Sequence, residues 1–286
     1  MGKIITNREL IAAPPVARLR YGVFTAAQSM LDMDTRIIAS GLQFLTDHCD
    51  GAQLYDQTCE SNPTKTVTTG SDLMAADPYW VVARKRCGSV GRSADEMLAA
   101  VRSQLYTASQ TLVENAIWDS GSLTTVTPTL TGAGATIVTP LGSGFGAAIA
   151  ALEQAFYAVN GYIGTIHVST RAYAAAAYNN LIVGAGGAGR LTTPIGSVWS
   201  FGAGYGITGP ADVAPGAPEN VWAFMTSPVT IWRSGVLPQP DPRQTFDRTL
   251  NQWDVVAEEV FAHTWDCPEV FAVEVPVISP GVVAVA

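Results

Sequence analysis

Charge is scarce in this chain. Only 14% of its 286 residues are Asp, Glu, Lys or Arg, against about a quarter in ordinary soluble domains. Lysine occurs three times, at Lys3, Lys65 and Lys85, and histidine three times. With 48% hydrophobic residues and a mean hydropathy of +0.20, so little charge implies that much of the surface is covered by something other than water. Positive charge is the rarer sign: 16 basic against 24 acidic side chains give a net charge of −8. That balance excludes a phosphate-driven nucleic-acid binder, which needs a basic face, and docking on an anionic membrane. No run approaches the roughly 18 apolar residues of a membrane span. The opening MGKIITNRELIAAPP lacks an apolar h-region, so no secretory signal is expected. Met1-Gly2 with Thr6 fits the formal myristoylation pattern. No basic cluster follows to reinforce a single acyl chain, and lipidation is not expected. Four cysteines (Cys49, Cys59, Cys87, Cys267) are too few and scattered for a disulfide framework and read as reduced thiols. The apolar content excludes low-complexity disorder.

Catalytic signatures are equally sparse. Gly184-x-Gly186-x-x-Gly189 is a formal dinucleotide fingerprint, but that chemistry needs a strand before it and a helix after it. Here a helix is predicted before it, and Leu191-Thr-Thr-Pro194-Ile-Gly196 cannot open one after it. Gly204-x-Gly206-x-x-Gly209 runs into Pro210; both read as loops. There is no P-loop and no G-x-S-x-G elbow. His167 sits in an apolar run and reads as a core histidine. His48-Cys49 beside Asp47 and Asp50, and His263 four residues before Cys267, are each half of a zinc pattern. His263 and Cys267 read instead as flanking a bend between two strands. Asp254, Glu258 and Glu259 read as a solvated strand end. No catalytic residue, cofactor or metal site is expected. Arg84-Lys85-Arg86, the one basic run, is either a solvated strand or an ion-pair patch between subunits.

The pattern along the chain points to an α+β protein. Residues 1–50 start irregularly at Pro14-Pro15 and then read as helix, with Leu31, Ile37, Ile38, Leu42 and Leu45 at helical spacing. Residues 51–90 read as a long hairpin: Gly51 to Cys59 going out, a polar tip from Thr64 to Ser71, and Tyr79 to Cys87 returning. A hairpin without its own core is marginal in water and must lean on something. Ser93 and Glu96 form a capping box that opens a helix over 93–119. Its apolar stripe is predicted at Leu98, Val101, Leu105, Ala108 and Leu112. A Thr/Gly-rich strand region (122–141) precedes a second helix, with Phe145, Ile149, Leu152, Phe156 and Val159 on one face and Asn160-Gly161 as its stop. Tyr162 to Val168 reads as a buried strand, and Ser169 as the cap of an Ala-rich helix reaching Leu181. Val221–Met225 and Val229–Arg233 read as strands broken at Ser227-Pro228, and Trp253–Thr264 and Val270–Val277 as two long β runs.

This order of parts resembles the major capsid proteins of tailed phages, the Hong Kong 97-type shell fold. Short motifs carry the likeness: Ile166-His-Val-Ser-Thr-Arg-Ala-Tyr173, the loop Gly189-Arg190-Leu-Thr-Thr-Pro194-Ile-Gly196, the run Asn251-Gln-Trp-Asp-Val-Val-Ala-Glu-Glu259 and the Thr264-Trp-Asp-Cys267 that follows. They are similar to head proteins of phages infecting actinobacteria. The resemblance implies an N-terminal arm (1–50), an E-loop hairpin (51–90), a peripheral domain with a spine helix (91–139), an axial domain (140–245) and a return to the peripheral sheet (246–286).

The resemblance further implies a structural protein of the virion. Such a subunit self-assembles as hexamers and pentamers into an icosahedral shell, formed in the host cytoplasm, around double-stranded DNA held without sequence-specific contacts. Scaffolding, portal and decoration proteins are the implied partners. With about 50 residues before the hairpin, a separate scaffold is expected rather than a cleaved N-terminal one. Lys65 lies near the hairpin tip, but no partner for a covalent cross-link stands out. The expected inter-subunit contacts are Arg18, Arg20, Lys65, Arg84, Lys85 and Arg86. An encapsulin-like compartment shell and a nucleotide-binding enzyme are the competing readings.

Overall fold

A long strand near the C-terminus organises much of the chain. The computed structural model describes residues 16–46, 49, 73–88, 93–119, 123, 126–132, 134–184, 189–237 and 246–277. By its contacts the chain divides into a smaller unit (Met1–Arg18, Val82–Ala108, Val236–Glu258) and a larger one (Leu19–Val81, Ser109–Gly235, Glu259–Ala286).

In chain order the elements are α1 (Val23–Ala26), β1 (Ser29–Asp32), α2 (Thr35–Ala39), β2 (Leu42–Leu45), β3 (Leu73–Ala76), β4 (Tyr79–Gly88), α3 (Ala94–Asp119), β5 (Thr136–Ile137) and α4 (Phe145–Asn160). There follow β6 (Thr165–Ser169), α5 (Tyr173–Tyr178), β7 (Val183–Gly184), β8 (Leu191–Thr192), β9 (Val198–Gly202), β10 (Asn220–Thr226), β11 (Val229–Arg233), β12 (Phe246–Asp247), β13 (Gln252–Trp265) and β14 (Phe271–Pro276).

In the larger unit a seven-stranded sheet runs β5-β14-β10-β6-β9-β8-β7. α4 lies on one face: Phe145, Ile149, Leu152 and Phe156 pack with Ile166, Val168, Trp199, Val221, Met225 and Val273. Each such fully buried side chain contributes about 1.5–3 kcal/mol. Gly161 stops α4 in the left-handed region at φ 70°, where glycine carries no Cβ penalty. Val159, predicted on the buried face, is half exposed. The other sheet face meets the end of α3, where Trp118 packs edge-on against Phe224. Covered on both sides, β6 and β10 are almost wholly buried; β10 accordingly reads as an apolar run from Val221 to Met225, whereas β6 buries Thr165, His167 and Ser169 as well.

The second sheet runs β1-β11-β13-β12, with β4 also paired to β13. In the larger unit β1 lies parallel to β11, and β11 antiparallel to Phe261–Trp265 of β13. In the smaller unit β12 lies antiparallel to Gln252-Trp253. Two short segments carry the chain directly from one of these two sheets to the other. Ser227-Pro228 separates β10 from β11, and residues 266–270 separate β13 from β14.

Several expectations are corrected. The helix read across residues 31–45 is instead strand, five-residue helix and strand. Asp34 caps α2 by accepting from the Arg36 amide, and Gly41 at φ 82° ends it; pairing of β2 with β3 then overrides the helical spacing. The outgoing arm Gly51 to Cys59 and the tip Thr64 to Ser71 lie outside the described residues. The capping box forms: the Ser93 amide donates to Glu96 Oε2 at 2.8 Å, and the Glu96 amide to Ser93 Oγ at 3.2 Å. The stripe of α3 is displaced, however. Met97, Val101 and Leu105 are buried, while Leu112 is exposed. Beyond residue 108 the buried face takes in Ser109, Gln110 and Glu114, which a hydrophobic pattern cannot find. Among the described residues of 122–141 there is one strand, of two residues. Ser169 belongs to β6 and makes no side-chain cap, and α5 ends at Tyr178.

Candidate functional site

The buried titratable groups are all engaged in the core of the larger unit. Pro128 offers only a carbonyl, so His263 Nε2–H donates to it at 2.7 Å, leaving Nδ1 to accept the Tyr79 hydroxyl at 3.1 Å. The Thr226 hydroxyl donates to the Ser227 carbonyl and so receives His167 Nε2–H at 3.0 Å. Nδ1 of His167 then accepts from Tyr205 at 2.9 Å. Both imidazoles are neutral donor–acceptor bridges. Burial lowers their pKa values to about 3 for His167 and about 4 for His263. Glu114 accepts the amides of Val23 at 3.1 Å and Gly204 at 2.9 Å. Burial pushes its carboxyl up to about 7 against the pull of those bonds.

The glycine motifs play different parts. Gly184 ends β7, and the next described element is β8, with no helix opening after the cluster. A strand rather than the predicted helix precedes it. Gly204, Gly206 and Gly209 are close-approach positions: an added Cβ would stand 2.0 Å from the Thr111 carbonyl, 2.6 Å from Trp118 Nε1 and 2.3 Å from Trp222 Cε2 respectively. Arg190, in the loop after the first cluster, donates to the carbonyls of Thr25, Ala27 and Gln28 and so caps the end of α1.

Of the residues expected at subunit contacts, Lys65 lies outside the described residues. In the smaller unit Arg18 is half buried, its guanidinium 3.5 Å above the Tyr106 ring while its Nε donates to the Tyr106 carbonyl. Arg20 is exposed. β4 alternates, with Tyr79, Val81 and Ala83 buried and Trp80, Val82, Arg84 and Arg86 outward; Lys85 is half buried. Both outward arginines converge on Asp254, with Arg84 Nη2 at 2.5 Å and Arg86 Nη2 at 2.8 Å from Oδ2. Hydrogen bonds from Arg84, then Arg86, hold the Asp254 carboxyl well below the usual carboxylate range. Asp254, read from sequence as a solvated strand end, is therefore the intrachain partner of the basic run. Pairing of β4 with β13 makes that contact, and neither strand's own sequence announces it.

Large apolar side chains remain uncovered. Leu45 and Leu73 are cross-strand neighbours on the β2–β3 ladder, and both are exposed. Trp80, Val82, Tyr178 and Leu141 are exposed too, Leu141 completely. A shallow apolar cavity of about 500 Å³ runs along the alanine side of α4, lined by Val138, Leu141, Ala147, Ala151 and Ala155 among others. A second, of about 510 Å³, is lined by Phe44, Tyr162, Pro228, Trp232 and Asp266 among others. Contiguous exposed apolar surface marks interaction surfaces.

Beside this second cavity, donor atoms of Cys49, Asp266 and Cys267 lie within 4.8 Å of one another. Cys49 Sγ donates to the Asp266 carbonyl at 3.4 Å, and the Tyr162 hydroxyl to Cys267 Sγ at 3.0 Å. Burial, then the neighbouring Cys267, pushes the Cys49 thiol up to about 12. The two half-patterns seen in sequence thus meet through their cysteines, while His263 faces Tyr79 and Pro128. His48 lies outside the described residues.

Solved structures resemble this fold over nearly the whole chain. The capsid of an empty GTA particle, computed with C5 symmetry, matches with a TM-score of 0.57 at 12% identity, over 96% of this chain and 96% of that one. The chain has the Hong Kong 97-type capsid fold. The capsid of the native GTA particle gives 0.52 at 12% identity, over 96% of each chain. A chain of Mycobacterium phage Adephagia gives 0.51 at 18% identity, over 92% of this chain and 93% of that one. No protein-family model matches the sequence, and no curated protein does. Among the described residues, no helix is long and apolar enough to cross a membrane.

Proposed function

We propose that this chain is the major capsid protein of a tailed phage, a structural subunit whose hexamers and pentamers close into the icosahedral head around double-stranded DNA. The observation that carries this is the capsid fold running through 96% of the chain and 96% of its structural neighbour. Uncovered apolar side chains at Leu45, Leu73, Trp80 and Leu141 support it, because a subunit tiling a shell buries such surface against its neighbours. The acidic balance suits a wall that encloses DNA without adhering to it. On this reading residues 1–50 form the N-arm, 51–90 the E-loop, 91–139 and 246–286 the peripheral domain and 140–245 the axial domain. Arg18, Arg20, Lys65 and Arg84–Arg86 lie at subunit contacts, and scaffold, portal and decoration proteins are the partners.

Electron microscopy of the expressed chain, alone and with its phage's scaffold, tests this. Closed icosahedral particles tens of nanometres across are expected, and particles from infected cells should contain DNA. Particles enclosing a cargo enzyme in place of nucleic acid would overturn the head reading, as would a chain that stays monomeric with scaffold supplied.

A further inference from the structure

The thiol–carboxylate cluster at the sheet crossing is not explained by packing. Asp266 and Cys267 open the segment by which the chain leaves β13 for β14, and the Cys267 amide donates to Ser227 Oγ at 3.4 Å. Ser227 belongs to the other crossing, between β10 and β11. Tyr162 holds the two crossings together, with its hydroxyl 2.7 Å from Ser227 Oγ and 3.0 Å from Cys267 Sγ. Onto this corner the chain brings Cys49 from just beyond β2, with its thiol against the Asp266 carbonyl. Two sulfurs and a carboxylate oxygen then lie within 4.8 Å of one another.

We propose that Cys49, Asp266 and Cys267 bind a thiolate-preferring divalent cation, zinc above others, and that this ion fastens the segment after β2 to the junction of the two sheets.

The geometry suits such an ion. In a tetrahedral site with metal–sulfur bonds of about 2.3 Å, two sulfurs stand about 3.8 Å apart and a carboxylate oxygen slightly closer. The observed spacing, within 4.8 Å, exceeds this by no more than about 1 Å. Thiolate donors select zinc over magnesium or calcium, and three protein ligands leave one position for water. On binding, each thiol gives up its proton to solvent and each sulfur donates a lone pair to the metal; nothing is oxidised or reduced. The Tyr162 hydroxyl, donating to Cys267 Sγ, is the outer contact that orients a ligand sulfur. Cys267 is fully buried, and Cys49 and Asp266 partly so, which leaves an entry path on one side. This site stands independently of the shell assignment.

Cobalt(II) titration of the reduced, full-length chain tests it. One equivalent should produce thiolate-to-cobalt charge-transfer absorption in the near ultraviolet, and zinc added afterwards should abolish it. Cys49→Ser, at the more exposed ligand, should keep the circular dichroism of the parent while weakening metal binding by more than about tenfold; Tyr162→Phe should weaken it by about tenfold. Absence of the charge-transfer band in the folded wild-type chain would overturn the proposal, and that measurement needs no variant. So would a band that survives Cys49→Ser, or a Cys49–Cys267 disulfide found by mass spectrometry in place of metal in the native particle.

Discussion

His167 and His263 are fully buried, and each is hydrogen-bonded on both ring nitrogens. Burial depresses both below the ordinary value of 6.5. A group depressed in the folded state contributes stability that is whole above its unfolded pKa and lost as pH falls toward its folded one. Below about pH 6.5 the unfolded chain therefore takes up two protons that the native chain refuses, at about 1.4 kcal/mol per pH unit for each. Glu114 acts in the opposite sense. Raised from 4.5 to about 7, its contribution is whole below pH 4.5 and lost as pH rises through 7, so it offsets one histidine across that window. Urea titrations at pH 7, 6 and 5 should show stability falling on acidification by roughly one histidine's slope in the wild type. Glu114→Gln should show nearly twice that slope. Equal slopes in the two proteins would refute this assignment of the three groups.

At the scale of elements, α3 and the loop after β9 meet at backbone distance. Gly204 donates its amide to Glu114, and a Cβ there would lie 2.0 Å from the Thr111 carbonyl, a helix atom that cannot turn aside. Gly204→Ala should cost about 1–3 kcal/mol, while Gly184→Ala, with nothing within 4 Å of the new methyl, should stay within about 0.5 kcal/mol of wild type. Thermal melts of the two variants check this, and an unshifted melt for Gly204→Ala would count against the close approach. β4 carries the second prediction. Its arginines pair with Asp254 at an exposed position, where ion pairs contribute little to folding. Replacing Arg84, Lys85 and Arg86 together by Ala should leave the melting temperature of the unassembled chain within a few degrees while particle yield collapses. Normal particles from the triple variant would make the run ordinary surface charge.

For the whole molecule, the scarcity of charge and the uncovered apolar side chains have one explanation if neighbours supply the missing cover. Particle formation is the measurement that decides it, since Leu45, Leu73 and Leu141 are exposed in the single chain. Many shared contacts of modest individual strength suffice for a closed shell, because each subunit is held at high effective concentration by the rest.

Local chemistry made part of this legible in the sequence. The Ser93–Glu96 box, the Gly161 stop and the apolar run of β10 depend on neighbours within a few residues or on burial itself, and the structure reproduces them. The order of parts was enough to suggest the shell fold. What depends on residues far apart was hidden. Helical spacing over 31–45 gave way to strand pairing between β2 and β3, and the buried polar face of α3 follows from what Glu114 meets at Val23 and Gly204. The partner of Arg84 and Arg86 lies 170 and 168 positions away. Cys49 and Cys267 each sat in half a zinc pattern, and only the corner where the chain changes sheets brings the two thiols together, while His263 is turned to Tyr79 and Pro128. Sequence determines what a residue can do with its near neighbours, whereas tertiary structure alone decides which distant partner it meets.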